Sequence, residues 1–291
     1  MEGKKPNFFV VGAPKAGTTS IYSYLRNHPQ VFVPKIKELH FFSYPEVTDT
    51  YYKVYFCKSL KEYLSFYSSA KNVKIIGDFS PSYLYNKCAA SRIKKFNPSS
   101  KILIMLRDPV ERAISHYLMD LRLGYQNRDL RNFLKKDENN RLFYKEYIEM
   151  GFYYTQVKRY IDLFGNNVMI LFLEELKENF KKALNKLYDF LEIDYVYPKL
   201  KIYNKFSGIP KNRMGRLLNK SKFIRRAINK GFSVFPTFTK KILSPFYIFE
   251  KPSFEDLKQE LRKIYLKDVE LLSELLKIDC KSLWWKDKNV S

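Results

Sequence analysis

The sequence predicts an α/β fold in a single domain, with a central parallel sheet flanked by helices and a basic helical insertion near the C-terminus. Three observations carry this. Short β-branched and aromatic runs recur between stretches of helical character, the pattern of parallel strands joined by crossover helices. The first run opens directly into a glycine-bearing turn and a helix start, Gly12-Ala13-Pro14-Lys15-Ala16-Gly17-Thr18-Thr19-Ser20. A later run, Lys101–Leu106, is apolar at its last five positions, as a strand covered on both faces requires.

In chain order, Phe8–Val11 reads as a strand and Gly17 to about Arg26 as a helix that stops near Asn27-His28-Pro29. An extended stretch follows at Val31–Val33, then the segment Lys37–Phe42. Val73–Ile76 reads as a strand closed by Gly77-Asp78. Lys101–Leu106 runs into Asp108-Pro109-Val110-Glu111, where Asp108 caps a helix, Pro109 suits its first position and Glu111 closes a capping box. A strand at Val168–Leu173, a helix at Phe180–Leu191 and a long helix over 253–278 with a Trp-bearing tail complete the fold. In such sheets ligands bind beyond the carboxyl ends of the strands, where the glycine turn and Arg107 both lie.

The composition suits a packed domain: 291 residues, 45% hydrophobic and 17% aromatic. No run of about 18 apolar residues is present to span a bilayer. The stretch before Gly12 is too short for the apolar core of a secretory signal. Cys57, Cys88 and Cys280 are odd in number and far apart, which predicts free thiols, a reducing compartment and a cytoplasmic location. No linker divides the chain, so residues 1–291 are expected to form one domain.

The charge is lopsided. Lys and Arg number 53 against 30 Asp and Glu, a net +23, and residues 199–249 hold 13 of the basic residues and no acid. A surplus of this size selects polyanions: nucleic acid, anionic lipid, acidic glycan or a phosphate-rich cofactor.

The first glycine turn is an anion cradle by construction. Backbone N–H groups of a helix start converge on one point with the positive end of the helix dipole behind them. Thr18, Thr19 and Ser20 add hydroxyls and Lys15 a cation. Gly12 and Gly17 have the spacing of a nucleoside-triphosphate loop, yet Thr18 stands where that loop needs Lys, and the cation sits in the turn instead. Arg107, at the end of a buried strand, offers a planar fork for a second phosphate, and Ser115 follows eight residues later on the next helix.

These two elements, Pro14-Lys15-Ala16-Gly17-Thr18-Thr19-Ser20 and Arg107-Asp108-Pro109-Val110-Glu111-Arg112-Ala113-Ile114-Ser115-His116-Tyr117, resemble those of the sulfotransferases that use 3′-phosphoadenosine 5′-phosphosulfate (PAPS). Lys37-Glu38-Leu39-His40-Phe41-Phe42 is similar to a segment of their carbohydrate, heparan-sulfate-like branch, and Gly77-Asp78-Phe79-Ser80-Pro81-Ser82-Tyr83 to another. Weaker similarity continues through Gly151-Phe152-Tyr153-Tyr154 to the helix Asp256–Leu276.

The resemblance implies a P-loop-like fold and PAPS as sulfuryl donor, with no metal. Lys15, Ala16, Gly17, Thr18, Thr19 and Ser20 would hold the 5′-phosphosulfate, and Arg107 with Ser115 the 3′-phosphate. Lys15 would also neutralise the bridging oxygen as its bond breaks. Glu38 would be the general base, with His40 as the second choice or as the group that orients Glu38. If Glu38–Phe42 is extended, Glu38 and His40 point to one side. Lys211 and Arg213, in a Ser-Gly-x-Pro-Lys-x-Arg stretch shared with bacterial relatives, would close over the 3′-phosphate. Phe79 stands where the glycan branch carries a substrate-contacting Lys, and Asp78 where it carries Glu, which weighs against a heparan-type acceptor.

The implied activity is transfer of a sulfuryl group to a hydroxyl of a carbohydrate or glycolipid. Tyr83, Tyr153 and Tyr154 suit either stacking on sugar rings or a core. From Pro210 to 249 a basic face with Met214, Leu217, Leu218, Ile224 and Ile228 on one stripe and several Phe residues beyond suits a lid, peripheral contact with an anionic membrane or docking of an acidic polymer. A nucleotide kinase or other P-loop phosphotransferase is the alternative enzyme. It lacks the Lys after Gly17 and an acidic strand end for Mg²⁺. A nucleic-acid-binding protein is weaker, because the basic residues cluster after a complete cofactor site and not along a reading surface.

Overall fold

The computed structural model describes residues 4–197, 208–212, 214, 215, 218, 224, 227, 228, 230, 231, 236–250 and 252–285. In chain order the elements are β1 (Phe8–Gly12), α1 (Thr18–Leu25), β2 (Val31–Phe32), α2 (Leu60–Ser65), β3 (Ile75–Phe79), α3 (Ser82–Tyr85), α4 (Ala89–Phe96), β4 (Lys101–Leu106), α5 (Pro109–Leu123), α6 (Arg141–Tyr147), α7 (Tyr154–Phe164), β5 (Val168–Phe172), α8 (Leu173–Glu178) and α9 (Phe180–Leu191). They continue with β6 (Ile209–Pro210), α10 (Pro236–Leu243), β7 (Tyr247–Ile248), α11 (Glu255–Leu276) and α12 (Cys280–Trp285). The described chain forms two compact units, Met1–Arg112 with Met150–Lys201 and Tyr265–Ser291, and Ala113–Glu149 with Ile202–Ile264.

The first unit holds a five-stranded sheet in the order β2-β3-β1-β4-β5, parallel throughout. β1 runs between β3, with Phe9 opposite Asp78, and β4, with Phe9 opposite Ile102. Strand order therefore reverses at β1, and the turn after it lies at the switch point where such sheets bind ligands. The strands are apolar because helices cover both faces: Phe8, Phe9, Val10, Val11 and Ile102 to Leu106 have no exposed surface. Phe42 meets Phe9, Tyr63, Tyr83 and Phe96 edge-on, an aromatic layer within the core.

The third strand is displaced from expectation, starting at Ile75 and not at Val73. Gly77-Asp78 does not close the third strand; β3 runs through both residues to Phe79. Gly77 fits because a Cβ there would meet Val33 Cγ1 at 3.0 Å. Asp78 fits because its carboxylate, although buried, accepts hydrogen bonds from Tyr63 (2.7 Å), Tyr83 (2.8 Å) and Ser80 (2.8 Å). Phe79 is buried against Phe8 and Tyr22, so this position faces the core. Tyr83 and Tyr153 are likewise core residues.

The second unit is mainly helical. Buried Asp120 accepts from Tyr147 at 2.7 Å, and His116 lies 3.8 Å from Glu146. Ile209-Pro210, part of the Ser-Gly-x-Pro-Lys-x-Arg stretch, is a short strand paired antiparallel with Tyr247-Ile248. Of the basic stripe, Met214 is exposed and Leu218, Ile224 and Ile228 are half-buried. Arg213, Arg216, Leu217, Lys220, Lys222, Arg225, Arg226, Phe232 and Phe235 lie outside the described residues. α10 leaves Phe238 and Ile242 exposed beside Lys240 and Lys241. No helix among the described residues is long and apolar enough to cross a membrane.

Candidate active site

The cradle starts where β1 leaves its register. The pairing with β4 shifts between Val10 and Gly12, and Ala13 N–H then donates to Met105 O at 2.6 Å, which seats the turn on the end of β4. A Cβ on Gly12 would lie 2.5 Å from Leu84 Cβ, so α3 packs directly on this backbone. Gly17 precedes α1 at φ 92, left-handed, with a would-be Cβ 2.8 Å from Leu173 Cδ1. The first turn of α1 contains no acidic residue, so its N–H groups and dipole face the site without a carboxylate of their own. Lys15 is half-buried at φ 70, Ala16 and Thr18 are buried, and Thr19 and Ser20 are half-buried.

Arg107 joins this turn. Its Nη1 donates to Lys15 O at 3.2 Å and its Nη2 to Glu111 at 3.4 Å, while Nε is buried without a hydrogen-bond partner. A buried guanidinium N–H left open beside a helix N-terminus is unusual in a folded protein and fits an anionic ligand. Asp108 caps α5 as expected, accepting from Val110 N–H at 2.9 Å, and also accepts from the indole N–H of Trp285 at 3.2 Å.

Residues 37–40 reach the same edge of the sheet. Glu38 N–H donates to Phe79 O (2.9 Å) and His40 N–H to Ser80 Oγ (3.4 Å), tethering the segment across the end of β3. The segment is not extended: Glu38 (φ 66) and His40 (φ 57) are both left-handed, and Phe41–Ser43 is a 3-10 turn. The alternation expected of a strand therefore does not apply. The Glu38 side chain is 41% exposed, whereas His40 is buried, with Nδ1 2.7 Å from Ser82 Oγ and Nε2 without a partner. Burial lowers the His40 pKa, opposed by the Glu38 charge, so its ring is neutral at neutral pH.

The Lys37 ammonium binds Thr18 Oγ1 (3.2 Å), Thr19 Oγ1 (3.2 Å) and Glu38 Oε1 (2.9 Å). It stands between the anion cradle and the carboxylate.

The sulfotransferase domain family matches residues 5–258. The chain belongs to this family. Among its sulfotransferase relatives, human carbohydrate sulfotransferase 15 is 27% identical over 251 residues, covering 65% of this chain and 44% of that one. Human heparan sulfate glucosamine 3-O-sulfotransferase 3A1 is 27% identical over 215 residues, 72% and 50%. The membrane-associated sulfotransferase kil1 of Dictyostelium discoideum is 34% identical over 134 residues, 44% and 26%. The chain thus spans a quarter to a half of the length of these relatives. A solved sulfotransferase from Alicyclobacillus acidocaldarius matches with a TM-score of 0.72 and 26% identity over 95% of this chain and 97% of that one. The P-loop-like parallel-sheet fold and the sulfotransferase assignment both agree with the sequence reading.

Within this sulfotransferase-family fold, the structure brings together Lys15 to Ser20, Arg107 and, through Lys37, Glu38. His40 is buried, its ring tilted against Phe56 at 5.8 Å. The two units divide inside α5 after Arg112, so half-buried Ser115 belongs to the second unit. Exposed Lys211 also belongs there, its N–H donating to Phe246 O at 2.7 Å, and Arg213 lies outside the described residues. Sequence reasoning passed over Lys37 as a site residue. Its position directly before Glu38 was the available signal.

Proposed function

We propose that the protein transfers a sulfuryl group from PAPS to a hydroxyl of a carbohydrate. One observation carries the reading: Arg107, with an open buried N–H, is bonded to the backbone of a Lys-bearing turn that opens the carboxylate-free start of α1. The site residues fit a group rich in phosphate. Lys15 to Ser20 would hold its 5′ end and Arg107 its 3′-phosphate, with Ser115 added by sequence resemblance.

Bound there, the donor supplies a sulfuryl group on a good leaving phosphate. Lys15 and the α1 N-terminus place positive charge where the leaving group gains negative charge. Glu38, half-exposed at the same edge, receives the proton of the acceptor hydroxyl. A carbohydrate acceptor is supported by the named activities of the carbohydrate and heparan sulfate relatives.

Incubation with radiolabelled PAPS or ATP and a panel of glycans, glycolipids and small phenols tests this. Label should pass from PAPS to a sugar, and Lys15→Ala should reduce that transfer by about 10² or more. Transfer from ATP alone, or full activity in Lys15→Ala, overturns the reading.

The acceptor class narrows further to a glycolipid at an anionic membrane. Phe238 (65% exposed) and Ile242, four residues apart on α10, flank Lys240 and Lys241 in the acid-free stretch. An exposed apolar pair bordered by Lys241, on a helix with no acidic residue, is suited to an anionic lipid surface. Vesicles rich in phosphatidylserine should co-float with the protein, and Phe238→Glu with Lys240→Glu should abolish this. Flotation unchanged in the variant overturns the membrane contact.

A further inference from the structure

We propose that Lys37 is a positioning residue that couples the donor cradle to the base, so that one ammonium both orients the Thr18 and Thr19 hydroxyls and answers the proton taken up by Glu38. This rests on the sulfuryl-transfer reading above.

An ammonium has three donors and no acceptor. Lys37 has three acceptors in range, Thr18 Oγ1, Thr19 Oγ1 and Glu38 Oε1. Its side chain is only 15% exposed, so its hydration is largely replaced by these three bonds. Each threonine hydroxyl that accepts from Lys37 keeps its own proton to donate elsewhere. Thr18 and Thr19 are the first two residues of α1, so those protons are available to an anion at the helix start.

Stability does not explain the arrangement. An ion pair whose carboxylate is 41% exposed contributes little, typically below about 1 kcal/mol. Neither threonine hydroxyl needs a buried lysine at a helix start. What the triangle achieves is a link. While Glu38 is ionised it neutralises Lys37. When the acceptor O–H bond breaks, its proton goes to Glu38, its electron pair forms the oxygen–sulfur bond, and the pair of the broken sulfur–oxygen bond stays on the leaving phosphate. Glu38 is then neutral, and the Lys37 charge is left facing the cradle as negative charge develops there. Proton uptake and leaving-group stabilisation share one cation.

The test is a double-mutant cycle on Lys37→Met and Glu38→Gln, read by calorimetric binding of adenosine 3′,5′-bisphosphate and by single-turnover rate. Lys37→Met should weaken bisphosphate binding by about 10-fold or more, whereas Glu38→Gln should leave it within about 2-fold. Each variant should slow transfer by about 10²-fold, and the double variant should be no slower than the slower single one. Thr19→Val, isosteric and independent of any folding defect in Lys37→Met, should also weaken the bisphosphate. Wild-type binding in Lys37→Met or in Thr19→Val, or rate losses that multiply in the double variant, overturns the coupling. A wild-type protein that binds no bisphosphate overturns instead the sulfuryl-transfer reading itself.

Discussion

The Arg107 guanidinium donates to the backbone carbonyl of Lys15 at 3.2 Å, joining the end of β4 to the turn after β1 across 92 residues of chain. Lys15 is held at φ 70 in the left-handed region, a conformation an L-residue keeps only when its surroundings impose it. Arg107 is one of those surroundings. The same side chain keeps Nε buried and open. It is therefore both a strut of the cradle and a donor within it.

Arg107→Lys separates these roles from charge. The ammonium keeps the positive charge and loses the planar fork, so adenosine 3′,5′-bisphosphate should bind about 10-fold or more weakly by calorimetry. Amide exchange at Ala16 and Gly17 should quicken as the turn loosens. Unchanged affinity and exchange would show that charge alone matters at this position.

Gly17→Ala tests the turn from the other side. The new methyl would stand 2.8 Å from Leu173 Cδ1 on a backbone at φ 92. We expect a loss of about 1–3 kcal/mol in denaturant unfolding together with weakened bisphosphate binding. An unaltered midpoint and affinity would contradict the close packing of α1 on the start of α8.

Asp78 is a structural carboxylate in spite of its place in a segment that resembles a substrate-contacting one. Burial raises its pKa, opposed by the hydroxyls of Tyr63, Tyr83 and Ser80. Asp78→Ala leaves those hydroxyls without their acceptor and should cost about 2–4 kcal/mol, seen as a drop of several degrees in Tm. Bisphosphate affinity of the folded fraction should stay at the wild-type level. Loss of affinity without loss of stability would return Asp78 to the site.

Asp108 sets a pH dependence. Burial pushes its pKa up to about 6, opposed by the Trp285 indole and the Val110 N–H. The folded protein thus holds this proton more tightly than the unfolded chain, whose aspartates titrate near about 3.9. The stabilisation is complete below about pH 4 and is lost as pH rises through about 6. Asp108→Asn cannot ionise, so the stability of wild type minus variant should fall by a few kcal/mol between those limits in urea titrations. A difference independent of pH would refute the shift.

The sequence alone determined the strand–turn–helix that makes the cradle, the capped start of α5 and the apolar strands of a parallel sheet. It also placed Lys15 in the turn after the first strand and Arg107 at the end of a later one. These features depend on signals that act within a few residues: glycine at a positive φ, proline and aspartate at a helix start, and continuous apolar runs. Only the tertiary structure decided that β3 continues through Gly77 and Asp78, since a buried carboxylate is tolerated in a strand only where hydroxyls from α2 and α3 converge on it. It likewise decided that Glu38 and His40 sit in left-handed turns and not on a pleat, because their N–H groups are taken by Phe79 and Ser80 about forty residues on. Lys37 shows the limit most directly. Its place directly before Glu38 is the one local signal it carries, and that does not say which other groups it meets. Its role follows from the 18 and 19 residues of chain that separate it from Thr19 and Thr18 and that the fold brings back to one ammonium.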